Sequence, residues 1–448
     1  MRECSGLHFE YAKIFLRENI FQSGRREVIK RIPTQCNECG HYNTLRIVIG
    51  ADRMQSHTFD CVGCGQQSVI NLKIDFNNRE VLLEIDDGRI TGPSIEGVTI
   101  ENSDLCEEEG SIINLDSNFL IPEEHLHQDR IFPWMMGASP RHDLPVPARQ
   151  SPPDQHGFQV FDIIDELGIR RGMREVLSAT LKIIDLHRRG RSDLAGPHLH
   201  SIKENTGHSV KSPAHAIVLL VSGLVGNSNQ DSVKACCEEA NKAISLNYEE
   251  FSRMLEWMRG IEYKDFFDRQ LSILKDYLKG YEQLNQAWVY AAHDVEPTGD
   301  LVPSTRDLDK VHYFYGNSFE QLASGLTLPA CINNILQGRN FDEFEQIDLR
   351  KYVTTDKSGR ARCLENNPAF FSLFSEFNSS IRNGSHHRGL RIMPGKPHMI
   401  QYRTGDSKAW NEIRYAEYLW RCNRILFCAM HLLALQIYVL KLNFHASS

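Results

Sequence analysis

The chain lacks a cationic surplus. Across 448 residues, 50 Lys and Arg face 58 Asp and Glu, a formal net charge of −8. No overall field draws it to nucleic acid, and any such contact needs a local basic patch. A signal-peptide core is also missing, because the N-terminal residues interleave Arg, Lys and Glu with only short apolar groups. The one strongly apolar stretch, residues 425–440, contains His431 and Gln436. It falls short of the roughly 20 residues that span a bilayer, so it reads as a buried C-terminal helix. Cys4, Cys106, Cys236, Cys237, Cys331, Cys363, Cys422 and Cys428 show no regular spacing. Without a secretory signal, that argues against a disulfide framework. Together these absences place the chain in the cytoplasm, with no membrane partner. No internal repeat of fixed period is visible.

What remains is a globular composition, 41% hydrophobic and 24% charged, in a length that calls for two or three domains. Residues 1–90 open with a short helix and a basic stretch from Arg25 to Arg31. Strand-like alternation follows at Leu45–Ile49, Val69–Ile74 and Val81–Ile85, with turn residues at Asn77-Asn78 and Asp87-Gly88. Residues 91–156 read as a partly ordered linker, marked by Glu107–Glu109 and a proline cluster from Pro133 to Pro153. Its apolar patch Ile131–Met136 is expected to dock on a neighbour. Residues 157–240 form a helical extension, opening on Phe161, Ile164 and Leu167, with 191–213 as a loop. Residues 241–448 form a helical domain, interrupted by a loop near 293–310. The fold class is mainly α, with a small β-rich domain in front.

Cys36-x-x-Cys39-Gly40 and Cys61-x-x-Cys64-Gly65 carry the first chemistry. Each pair can form a tight turn whose N–H groups face the thiolates, and the glycine accepts the positive φ such a turn needs. Two turns give four thiolates, which complete a tetrahedral Zn²⁺ shell and leave no open position for catalysis. The expectation is one structural zinc per chain in a unit resembling a zinc ribbon, where metal replaces a core too small to be stable alone. A redox dithiol pair is the plainer alternative. His41 and His57 lie close enough in sequence to substitute as ligands.

The second chemistry lies at Arg382, Asn383, His386 and His387. Asn367-Pro368 is a good helix start. Phe370, Phe371, Phe374, Phe377 and Ile381 then make one apolar stripe running into the motif, with Gly384 as a weak point where the helix frays. Arg offers phosphate a fixed fork of donors, histidine exchanges a proton near neutral pH, and Asn orients either group. That set suits attack of a ribose 2′-OH on its own phosphate, with no catalytic metal. A salt-bridged polar helix end is the commoner fate of an isolated Arg-x₄-His. On a regular helix Arg382 shares a face with His386, while His387 turns away.

The stretch from Phe374 to His387, a strand-like connector (Leu390–Ile392 and His398–Tyr402) and the apolar helix from Asn411 to Leu442 resemble the HEPN family. Its members are helical bundles with an Arg-x₄₋₆-His motif and a polar residue, commonly Asn, after the Arg. The resemblance covers residues 240–445 at most, and its specific part is far shorter. It implies a HEPN-like helical bundle and a metal-independent endoribonuclease with RNA as substrate. It also implies a homodimer with a composite cleft, and an antitoxin or regulatory partner if the chain is a toxin or anti-phage effector. It implies His387 as acid or base, Arg382 on the phosphorane and Asn383 positioning, with His386 an adjacent extra. Some members are inactive scaffolds, so a zinc ribbon fused to a dimerisation module is the alternative.

Other candidates are weaker. His187–Arg191 could touch RNA or be a solvated helix end. His198, His200 and His208 lack a carboxylate or cysteine at a telling interval. Tyr313, Phe314 and Tyr315 beside His312 could stack bases or simply pack. Trp257, Trp288 and Trp420 read as packing residues.

Overall fold

Two hairpins with buried apolar residues on their strands come first among the described residues. In the computed structural model, residues 28–49, 54–75, 80–82, 95–96, 98–100, 111–116, 119–122 and 172–446 are described, with short breaks at 227–228, 262, 298, 300, 305, 387–388, 394–395 and 404–409. The expected helix and basic stretch before Val28, the patch 131–136, the proline cluster and the first helical pattern at 161–167 lie outside these residues. Two compact units emerge, one β-rich and one helical.

In the β unit, β1 (Val28–Cys36) and β2 (Tyr42–Ile49) form one antiparallel hairpin, while β3 (Met54–Asp60) and β4 (Gln67–Asp75) form another. Leu45 and Ile47 of the first and Ile70 and Leu72 of the second are fully buried. β5 (Glu80–Leu82) and β6 (Ile95–Glu96) pair with β4. β7 (Val98–Ile100) flanks β1, and β8 (Ser111–Leu115) runs parallel to β2. Residues 95–122 therefore supply strands, although their sequence reads as linker. The strands are short and their pairing partners distant, so local periodicity does not announce them. β9 (Ile121–Pro122) pairs with β10 (Leu301–Val302), which comes from the loop expected near 293–310. The side chain and backbone of this excursion are tied in: Ser304 donates its hydroxyl to the Asp116 carbonyl at 2.7 Å and accepts from the Asp116 N–H at 2.7 Å.

The helical unit comprises α1 (Met173–Arg188), α2 (Gly196–Thr206), α3 (Pro213–Val225), α4 (Gln230–Leu246), α5 (Tyr248–Ile261), α6 (Tyr263–Lys279), α7 (Tyr281–Asn285), α8 (Trp288–Ala292), α9 (Leu308–Val311), α10 (Phe314–Gly325), α11 (Thr327–Leu336), α12 (Leu349–Thr354), α13 (Ser379–His386) and α14 (Tyr415–Ala446). α2 occupies part of the stretch that reads as loop; a proline in its first turn starts it and Gly207 at φ 73° ends it. α14 is the axis of the unit and packs against α3, α4, α6, α8 and α10. Tyr415–Leu440 is apolar and long enough to cross a membrane, yet 72% of its most apolar window is buried in this unit. In its N-terminal third, Asn423 donates to the carbonyls of Leu284 (2.7 Å) and Leu419 (2.9 Å), so a polar group fixes the register of an otherwise apolar contact.

The apolar stripe before the motif is not one helix. Asn367 caps a 3-10 turn, Pro368–Leu373, which ends at Phe374 with φ −142°. The chain then restarts at α13, where the Asn378 side chain accepts from Ser380 N and Ile381 N, both at 3.1 Å. Phe370 is buried, Phe371 is exposed, and Phe377 meets Phe319 with centroids 4.5 Å apart. Three aromatics that look like one helical face thus serve different contacts. After α13 a three-stranded antiparallel sheet, β11 (Arg391–Met393), β12 (Lys396–Arg403) and β13 (Trp410–Arg414), precedes α14.

Candidate functional site

The tips of the two hairpins bring the four cysteines together. Cys36 N donates to His41 O at 2.9 Å and Gly40 N to Cys36 O at 2.9 Å. Cys61 N donates to Gln66 O and Gly65 N to Cys61 O, both at 2.8 Å, so the two turns repeat one pattern. Gly40 and Gly65 sit at φ 71° and 74°, where a Cβ would be strained. Cys36, Cys39, Cys61 and Cys64 place their Sγ atoms within 4.8 Å of one another, an arrangement that could hold a metal ion. Cys36 and Cys64 are 3.7 Å apart, as are Cys39 and Cys61.

Asn43 was not flagged by the cysteine pattern, yet it supports both turns. Its amide donates to Cys61 Sγ at 3.6 Å and to His41 O at 3.4 Å, and its oxygen accepts from Val62 N at 3.3 Å. Burial opposes a Cys61 thiolate, but the N–H groups of Cys64 and Gly63 and the Asn43 amide outweigh it and bring its pKa to about 6. Cys64 gains from the Gln66 N–H, yet its three thiol neighbours and burial push it up to about 12. Four thiols this close share protons, and a cation that displaces them resolves the conflict. The four cysteines do not draw on the nearby histidines. His41 Nε2 lies 3.1 Å from Ser111 Oγ, and His57 is fully buried on β3, with burial lowering its pKa to about 4.

The second site is built around α13. Its N-terminal approach is pinned from two helices: Tyr315 on α10 donates to Glu376 O at 2.6 Å and accepts from Asn378 N at 3.1 Å. Buried Glu376 receives Arg421 Nη1 at 3.1 Å and Arg424 Nε at 2.9 Å from α14; burial still raises its pKa against those charges. At the other end, Ser385 Oγ accepts from Gly316 N at 2.9 Å and donates to His312 O. A Cβ on Gly316 would lie 2.9 Å from His386 N, so only glycine lets α10 and α13 cross this closely.

Gly384 serves the same purpose rather than loosening the helix. A Cβ there would meet Tyr402 Cβ at 2.9 Å, and α13 runs through Gly384 to His386 without interruption. Arg382 donates Nε to Glu320 Oε1 at 2.6 Å and Nη1 to Asn383 Oδ1 at 2.7 Å, with a second guanidinium contact to the same carboxylate oxygen. His386 is exposed at the helix end; His387 lies outside the described residues, so its position relative to Arg382 is not part of this geometry. Alongside, a cavity of about 400 Å³ is lined by Leu308, Asp309, His312, Tyr313 and Leu390.

The remaining sequence candidates fall to structural roles. Arg188, Arg189 and Arg191 pair with Asp268, Asp185 and Asp193, and His200 with Glu204. Phe314 and Tyr315 are buried, while Tyr313 reaches the cavity. Glu320 and Gly316 escaped the sequence reading because nothing local marks them; only the crossing of α10 and α13 does. The chain matches no family model, no curated protein and no solved structure in the comparisons made. Fold and sites therefore stand on their own geometry.

Proposed function

We propose that the four-cysteine cluster holds one structural Zn²⁺ and that the end of α13 cleaves RNA without a catalytic metal. For a tetrahedral ion with Zn–S bonds of about 2.3 Å, sulfurs lie about 3.8 Å apart; the 3.7 Å separations fit that ion. All four positions belong to the chain, so the metal's role is to fasten two hairpins.

The observation that carries the ribonuclease reading is the fixed Arg382–Asn383 pair one turn before an exposed histidine, beside an open cavity. In this reading a histidine, His387 or its neighbour His386, removes the proton from a ribose 2′-OH. The oxygen attacks the adjacent phosphorus, and the 5′-oxygen leaves with a proton delivered from a second acid. Arg382 stabilises the charge on the phosphorane and Asn383 holds the guanidinium plane. The products are a 2′,3′-cyclic phosphate and a 5′-hydroxyl. The Arg-Asn-x-x-x-His pattern and its strand-then-helix continuation support a HEPN-type bundle, acting as a homodimer.

Incubation with RNA in EDTA tests this. The wild type yields 2′,3′-cyclic ends, and Arg382→Ala with His387→Ala abolishes them. Unchanged cleavage in that double variant sinks the assignment, and loss with His386→Ala alone moves it by one residue. A scaffold reading is favoured by one observation: Glu320 already satisfies Arg382. It expects no cleavage by the wild type.

A further inference from the structure

The sheet β11–β13 has an exposed face that the reading above does not use. Arg391 and Arg403 enclose the indole of Trp410, with guanidinium carbons 4.0 Å and 4.3 Å from the ring centroid. Both arginines are exposed, and among the described residues neither has a carboxylate partner. Elsewhere in this unit Arg174, Arg253, Arg382, Arg414, Arg421 and Arg424 are each paired with an acid. Among the described residues, Glu412 on this face accepts from the Gln401 amide at 3.4 Å, and Gln401 in turn accepts from Arg391 at 3.1 Å. These bonds hold the Arg391 fork in place without neutralising it. The face that carries both guanidinium groups is cationic in a chain that is acidic overall.

Its position is tied to α13. Tyr402 packs on Gly384 from the opposite face of β12, and Gly389 N donates to Gly384 O at 2.8 Å. A Cβ on Gly389 would lie 3.6 Å from Arg403 N, so the arginine edge adjoins the helix end that carries His386. We propose that Arg391, Trp410 and Arg403 form a platform for single-stranded RNA, binding nucleotides beyond the scissile phosphate. The two guanidinium forks take backbone phosphates, and the Trp410 ring, covered by both guanidinium groups, holds them in place. This inference rests on RNA being the ligand of the α13 site.

The test is fluorescence anisotropy with a 2′-O-methyl oligouridylate of about 12 nucleotides, which cannot be cleaved, at several salt concentrations. Cleavage of ordinary RNA in EDTA is read in parallel. Arg391→Ala with Arg403→Ala should weaken binding at least roughly tenfold and flatten the log K against log salt slope by about 1.4, two single-strand phosphate contacts. Trp410→Ala should also weaken binding, because it removes the ring that holds both guanidinium groups, and Trp410→Phe should recover most of it. Far-UV circular dichroism checks that each variant folds, and Arg391→Lys with Arg403→Lys should keep the salt slope. Wild-type affinity and slope in the folded variants overturn the platform, while EDTA cleavage reports separately on the α13 site. A wild type that does not bind the oligonucleotide also overturns it. So does a change in oligomeric state with RNA binding intact, which would make the face a protein interface.

Discussion

Acid should destabilise the helical unit through one histidine. His431 lies on α14 at 3% exposure, its Nδ1 3.4 Å from the Ser372 carbonyl, and burial lowers its pKa to about 4. Its Nε2 is buried with no partner among the described residues, so a second proton there would find no acceptor. An unfolded chain takes up that proton as pH falls through 6.5, whereas the folded chain refuses it until about 4. The contribution is therefore whole above pH 6.5 and lost as pH falls towards 4. At pH 4.5 the loss comes to about 2.5 kcal/mol, and below pH 4 to about 3 kcal/mol. His431→Leu keeps the bulk and removes the titration, giving up one long hydrogen bond worth about 1 kcal/mol at most. Far-UV melts, dominated by the helical unit, should show the wild type losing roughly 5 °C more than the variant between pH 7 and pH 4.5. Equal losses in the two proteins would refute the reasoning.

Other outcomes follow from the two sites. Freshly purified protein should contain close to one zinc per chain, and Cys36→Ser with Cys61→Ser should lose it; reduced wild type free of zinc by atomic absorption contradicts the assignment. Asn43→Ala should weaken metal retention roughly 10- to 100-fold in a chromogenic chelator competition, since outer hydrogen bonds hold thiolate ligands in place; unchanged retention would reduce Asn43 to a packing residue. Glu320→Gln should cost about 1.5–3 kcal/mol in chemical denaturation by removing a charge-assisted pair. On the ribonuclease reading it also changes the rate of RNA cleavage, whereas on the scaffold reading only stability moves.

What the sequence made legible was chemistry carried by neighbours in the chain. Two Cys-x-x-Cys-Gly turns announce four clustered sulfurs because each turn is local, and Asn367-Pro368 marks the start of a helical turn by the same logic. Contacts made at a distance were not legible. Gly384 reads as a weak point in a helix because glycine is a poor helix former, but its reason is Tyr402 on a later strand. The phenylalanine spacing around 370–381 suits a helix as well as the observed turn, break and second helix, since periodicity does not register a cap that restarts the chain. Glu320 looked like any surface acid until α10 crossed α13.

The excursion that carries β10 sets an order of events during translation. The four cysteines precede residue 65, so both turns are available to a metal early in synthesis. The partner strand of β9 leaves the ribosome only after α1 to α8 have been made. The nascent β unit must wait with an unpaired strand, while the growing chain has already begun a second unit. Bound metal is what can hold that unfinished unit together in the interval. On the proposed zinc assignment, a cell short of that metal would meet the defect first in newly made chains rather than in the finished protein.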